Sequence, residues 1–151
     1  MKRHPAFVPL SRDHHHALVL ARGLQTDGPA GTLPAELGAR VAHTVRVFVE
    51  ELEPHFRCEE DVLLSRLRGR DPELDRACDD VQDDHETLRA MIAELTIDPN
   101  AQRLDAFGRK LEAHVRLEER ALFETAQRVV PEDELARLEA LVEKNLSRDE
   151  R

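Results

Sequence analysis

The 151-residue chain contains no tryptophan and no tyrosine, and aromatic residues make up 3% of it. It has two cysteines, Cys58 and Cys78. So few, set apart in sequence, exclude a disulfide framework and point to reduced thiols in a cytoplasmic protein. Long apolar runs are missing too. The longest near the start is Ala17 to Ala21, too short to span a bilayer. The opening Met1-Lys-Arg-His-Pro lacks the apolar stretch of a signal peptide. There is no surplus of positive charge. With a net charge of −9, neither nucleic acid nor an anionic membrane is expected as a partner.

What is present is helical. Charged residues reach 35%, and Ala, Leu, Glu, Arg and Val recur at helical spacing, which favours an all-α fold. The length suits one domain over residues 1–151, large enough to bury a core without staples. Ser11 reads as a helix N-cap, with Asp13 in the first turn where the helix dipole favours an anion. A first helix is expected over about residues 12–25, with His14, Ala17, Leu18, Ala21 and Leu24 on one face, then a loop over 26–34. A long second helix from about Pro34 or Ala35 to Leu67 carries the stripe Val41, Val45, Phe48, Leu52, His55, Glu59, Val62. Pro54 lies inside it, so a kink is expected just before His55. The third helix shows Leu74, Cys78, Val81, His85, Leu88, Ile92 and Leu95 before Asp98-Pro-Asn100 breaks it. The fourth shows Leu104, Phe107, Leu111, His114, Glu118, Ala121 with Leu122, and Thr125. A shorter fifth follows Pro131, with Leu135, Leu138, Leu141 or Val142, and Leu146 on one side. The expected architecture is an antiparallel up-down four-helix bundle over about residues 10–128, with a short C-terminal helix over about 132–147.

One spacing occurs twice, His55-Phe-Arg-Cys-Glu59 and His114-Val-Arg-Leu-Glu118. Four residues on a helix bring both side chains to one face, where an imidazole and a carboxylate can grip one ion. In all four helices the polar residues of the stripe fall near the middle, so four histidines and two glutamates should meet at one level. Two carboxylates in a dry bundle interior need a compensating cation. Mixed imidazole and carboxylate donors suit Fe, Mn, Zn or Cu rather than a hard all-oxygen ion. Six donors exceed one tetrahedral zinc. They fit two metals bridged by the carboxylates, with histidines as terminal ligands. Of His14, His15 and His16, His14 shares the apolar face, His15 is the second choice as a supplementary ligand, and His16 should face solvent. Glu51, one turn before His55, could extend the polar column, although a surface or interhelical role is the simpler one. Cys58 could serve as a redox group or soft ligand, although packing is the simpler role. Glu60 and Glu119 are expected on the solvated side or the seam, and His4 and His43 have no expected role.

These pieces resemble the hemerythrin-like (HHE cation-binding) family: Ser11-Arg-Asp-His14-His-His-Ala-Leu18, His55-Phe-Arg-Cys-Glu59-Glu60, Asp84-His85-Glu-Thr-Leu-Arg89 and His114-Val-Arg-Leu-Glu118-Glu-Arg, in order over about residues 10–125. The resemblance implies a four-helix bundle around a non-haem di-iron centre, with His14, His55, His85 and His114 terminal and Glu59 and Glu118 bridging. The oxygen carriers of that family bear HxxxH on the third helix and HxxxxD on the fourth. Here Val81 and Arg89 stand four residues either side of His85, so coordination places are left for water or an exogenous ligand. The function implied is binding of O2 or a related small ligand such as peroxide or nitric oxide, or iron sensing and handling. A di-iron oxidase, peroxidase or nitric-oxide-handling enzyme is the alternative. The ferritin-like ExxH and the zinc-hydrolase HExxH are both absent. Manganese or zinc could substitute for iron. A third reading is regulatory, with the apolar side of helix five either packed on the bundle or buried in a homodimer.

Overall fold

The computed structural model describes residues 1–28 and 33–149, with side chains described to residue 147. Residues 29–32 of the expected loop and residues 150–151 lie outside that description. The described chain is all-helical, with five helices that pack as a helical bundle. We label them α1 (Val8–Leu24), α2 (residues 37–67), α3 (Pro72–Ile97), α4 (residues 101–129) and α5 (Glu132–Asp149). Among the described residues no helix is long and apolar enough to cross a membrane.

The first helix starts four residues earlier than its sequence suggests. Pro9 sits in the first turn, where a missing N–H costs nothing, and Phe7 caps the entry by stacking on Phe123 with ring centroids 4.8 Å apart. Ser11 is therefore inside the helix and not its cap; its hydroxyl donates to the Glu119 carboxylate at 2.7 Å. Two later starts follow the usual chemistry. Asp71 accepts from the Leu74 amide at 3.0 Å to begin α3, and Asn100 accepts from the Arg103 amide at 2.8 Å to begin α4. Gly69, with φ at 86°, makes the turn between α2 and α3 that a side chain would strain.

The long helices are not uniform. In α2, π-helical stretches at Phe48–Leu52 and Glu59–Leu64 interrupt the α-helix, and α4 has one at Glu118–Phe123. Pro54 follows the first of these. The helix accommodates the missing amide and the bulk of the ring in a widened turn, and the backbone stays helical through Glu53.

Two apolar clusters fill the interior. One holds Phe7, Leu10, Leu63, Leu74, Val81 and Phe123; the other holds Leu20, Phe48, Phe56, Leu88, Phe107 and Leu111. Between them every long helix changes from apolar to polar. Helix α5 packs against the C-terminal half of α2 and contributes Leu135, Leu138 and Val142 to the first cluster, so its apolar side is covered by the bundle itself.

Candidate metal centre

The polar layer consists of His14, His55, Glu59, His85, His114 and Glu118, each 0–5% exposed. Each imidazole turns Nε2 inward. His14 Nε2 lies 3.3 Å from Glu118 Oε1, and His55 Nε2 lies 3.3 Å from Glu59 Oε1 and 4.0 Å from Glu118 Oε1. His85 Nε2 lies 3.1 Å from Glu59 Oε1, and His114 Nε2 lies 3.2 Å from Glu118 Oε2. Two groups result whose donor atoms lie within 4.8 Å of one another: His14, His55, Glu59, Glu118, and Glu59, His85, His114, Glu118. Both glutamates belong to both groups.

Three of the four outer nitrogens are held as well. His55 Nδ1 donates to Asp13 at 2.9 Å, His85 Nδ1 to Glu60 at 2.7 Å and His114 Nδ1 to Asp84 at 3.0 Å. His14 Nδ1 lies 3.8 Å from Glu119. A carboxylate behind an imidazole fixes the tautomer with the inner nitrogen free, and raises its donor strength. Sequence reasoning missed this set. Of the two places expected for Glu60 and Glu119, the structure puts them at the seam, half-buried behind His85 and His14, and Asp13 serves His55 rather than the helix dipole alone. Consecutive helical residues stand about 100° apart, so a Glu-Glu pair can aim one carboxylate inward and the next along the flank. The signal was present: Asp-His occurs at 13–14 and 84–85, and His-x-x-x-Glu-Glu at 55–60 and 114–119. Helix pairs α1–α2 and α3–α4 thus repeat one pattern, and in both a π-helical stretch begins at the inner glutamate.

The remaining expectations fall outside the layer. His15 and His16 are exposed, with their rings edge to face at 6.1 Å. Glu51 is exposed. Cys58 is buried in the first apolar cluster and belongs to neither donor group. A pocket of about 630 Å³ opens beside α1 and α2 and reaches His14, His55 and His114. His85 is sealed from it by Phe56, stacked on the imidazole at 4.1 Å.

Electrostatics bind the layer together. Burial alone would push His114 down, but the Glu118 charge and the Asp84 hydrogen bond raise it to about 10. Burial likewise opposes charge on His55 and His14, and the facing carboxylates Glu59 and Asp13 for the first, Glu118 and Glu119 for the second, overcome it and raise both. For Glu118 burial favours the neutral form. His114, a hydrogen bond with Glu59 and the His14 charge outweigh it and hold the carboxyl well below its usual range.

The donor set fits a cation. His55 Nε2, His114 Nε2, Glu59 Oε2 and Glu118 Oε2 are buried with no hydrogen-bond partner among the described residues, although all sit in close polar contact. Orphaned donors and acceptors of that kind are costly unless something else satisfies them. A buried layer of imidazoles and carboxylates in a helical bundle defines a cation-binding bundle protein. The family model of the hemerythrin HHE cation-binding domain matches residues 6–126, and the chain belongs to that family. No curated protein and no solved structure matches it.

Proposed function

We propose that the chain is a dinuclear metal protein of hemerythrin type that binds O2 or a related small ligand, or senses or handles iron. The observation that carries this reading is the sharing of Glu59 and Glu118 by both donor groups, which gives each of two ions two imidazoles and both carboxylates. His14 and His55 would hold one ion, His85 and His114 the other, with Glu59 and Glu118 bridging. Mixed imidazole and carboxylate donors suit iron, with manganese or zinc as substitutes. Iron would supply open coordination places for a diatomic ligand and one-electron chemistry. The chain's own residues do the rest: Asp13, Glu60 and Asp84 hold the outer imidazole protons of His55, His85 and His114, and Phe56 screens His85 from the pocket.

The order of residues along the chain supports an antiparallel up-down arrangement. The first cluster is met before the polar layer in α1 and α3 and after it in α2 and α4. On this reading the chain is a single domain in the cytoplasm, with α5 as an addition to a four-helix core.

A second reading, a di-iron oxidase or peroxidase, is favoured by the pocket, which is far larger than a diatomic ligand needs. Metal content and the ultraviolet–visible spectrum of anaerobically purified protein, before and after air, test both. Two irons per chain with an absorption band that comes and goes with oxygen is the expected result. Irreversible oxidation with turnover favours the enzyme, and no metal, or one zinc, overturns the dinuclear reading.

A further inference from the structure

The two helix pairs repeat their donors but not their surrounding charge. Four residues before His114 stands Lys110, whose Nζ lies 2.6 Å from Asp84, the carboxylate behind His114. Four residues before His55 stands Glu51. Asp13, the carboxylate behind His55, makes no ion pair with lysine or arginine among the described residues. One flank is neutralised by a lysine; on the other a second acid takes the lysine's place.

The uncompensated flank is where the pocket opens. Asp13, Glu50 and Glu51 line it at exposed positions, and no lysine or arginine is among its lining residues. Among the described residues two guanidinium groups touch that lining from outside; Arg89 is neutralised by carboxylates, and Arg46 leaves one positive charge against the three acids. Arg46 donates to His43 Nδ1 at 3.0 Å, and Arg89, over the Phe56 ring, is held by Glu53 and Glu60. At the inner end lie His14, His55 and His114, and the inward Nε2 atoms of His55 and His114 are buried without hydrogen-bond partners. A cleft lined by one sign of charge, with low-dielectric walls, focuses the field and raises the local concentration of counter-ions.

We propose that this rim is the entry route for the divalent cation. Asp13, Glu50 and Glu51 draw the hydrated ion to the pocket, and His14, His55 and His114 are the buried donors it meets there. Lys110 repels a cation from the corresponding approach on the other flank. The inference rests on the dinuclear reading, and its test separates the two.

Metal-free full-length protein is mixed with Co²⁺ in a stopped-flow instrument, and uptake is followed by the visible absorption of bound cobalt. At low salt Glu50→Gln/Glu51→Gln should load about five-fold more slowly, and Glu51→Lys more slowly still. The difference should shrink near 1 M salt, where charges are screened over about 3 Å. Asp80→Asn/Glu86→Gln, an equal change of charge at exposed positions on α3, should leave the rate within about two-fold of the parent. Equal rates for the rim and control pairs overturn the entry route while leaving the centre intact. A chain that takes up no cobalt overturns the dinuclear reading itself.

Discussion

His85 donates from Nδ1 to Glu60 at 2.7 Å while its Nε2 lies 3.1 Å from Glu59, so two adjacent glutamates hold the two nitrogens of one ring. Glu60 is fixed in turn by Arg89, 2.9 Å away, which also grips Glu53. Replacing Glu60 by Ala should release the ring and weaken metal at the His85–His114 position about 10–100-fold. Glu60→Gln, which keeps an acceptor, should recover part of the loss. A two-step zinc titration in competition with a chromogenic chelator measures it; an unchanged second step would mean that Glu60 does not orient His85.

The metal-free protein should show a stability maximum in mildly acidic solution. His14, His55 and His114 titrate above their ordinary 6.5 when folded, His114 at about 10, so their contribution is complete below pH 6.5 and is lost as pH rises toward 10. Glu118 titrates well below its ordinary 4.5, so its contribution is complete above pH 4.5 and is lost on further acidification. Thermal melts by circular dichroism should therefore peak between about pH 4.5 and 6.5. Metal affinity should move the other way, rising with pH because imidazole must lose its proton to bind. A metal-free melting temperature that climbs from pH 6.5 to 9 would contradict the ion-paired layer.

Helices α1 and α4 approach closely at Gly108. A Cβ built there would meet the Ala21 carbonyl oxygen at 2.5 Å and the Leu24 Cβ at 3.0 Å. Because the obstacle is backbone, Gly108→Ala should force the helices apart and cost about 1–3 kcal/mol, despite alanine's better helix propensity. Urea denaturation gives the number, and a neutral or stabilising result would show that the helices shift freely.

Cys78 is fully buried in the first apolar cluster, and burial pushes its thiol up to about 11. Native protein treated with iodoacetamide at pH 8 should leave the Cys78 peptide unmodified, with alkylation appearing only in denaturant. Mass spectrometry of the digest decides it, and prompt labelling of the native chain would show that this end of the bundle opens readily.

The helices and the polar layer are legible because they obey a local rule: a seam of three- and four-residue steps in which His55, Glu59, His114 and Glu118 replace hydrophobic residues. Exposure of His15 beside buried His14 follows from the same periodicity. What the pattern hides depends on neighbours from other helices. Ser11 has the chemistry of a cap, yet Glu119 from α4 claims its hydroxyl, and the Phe7–Phe123 stack lets α1 begin earlier. Pro54 implies a disturbed helix, but a widened turn is a cooperative choice of the whole segment. The carboxylates behind the imidazoles are the main omission. Asp13 and Glu119 look like ordinary surface acids until the facing rings of His55 and His14 are in place.

Each helix pair carries three of the four donors in one group and lends a single glutamate to the other. During synthesis the first pair emerges with His14, His55 and Glu59 in hand, and waits for Glu118 until the second pair has been made. A metal ion captured early would be gripped from one half alone, and only docking of the second hairpin would close the cage. Ions shared in this way would rivet the two halves together, so that releasing them and parting the helix pairs would be one event.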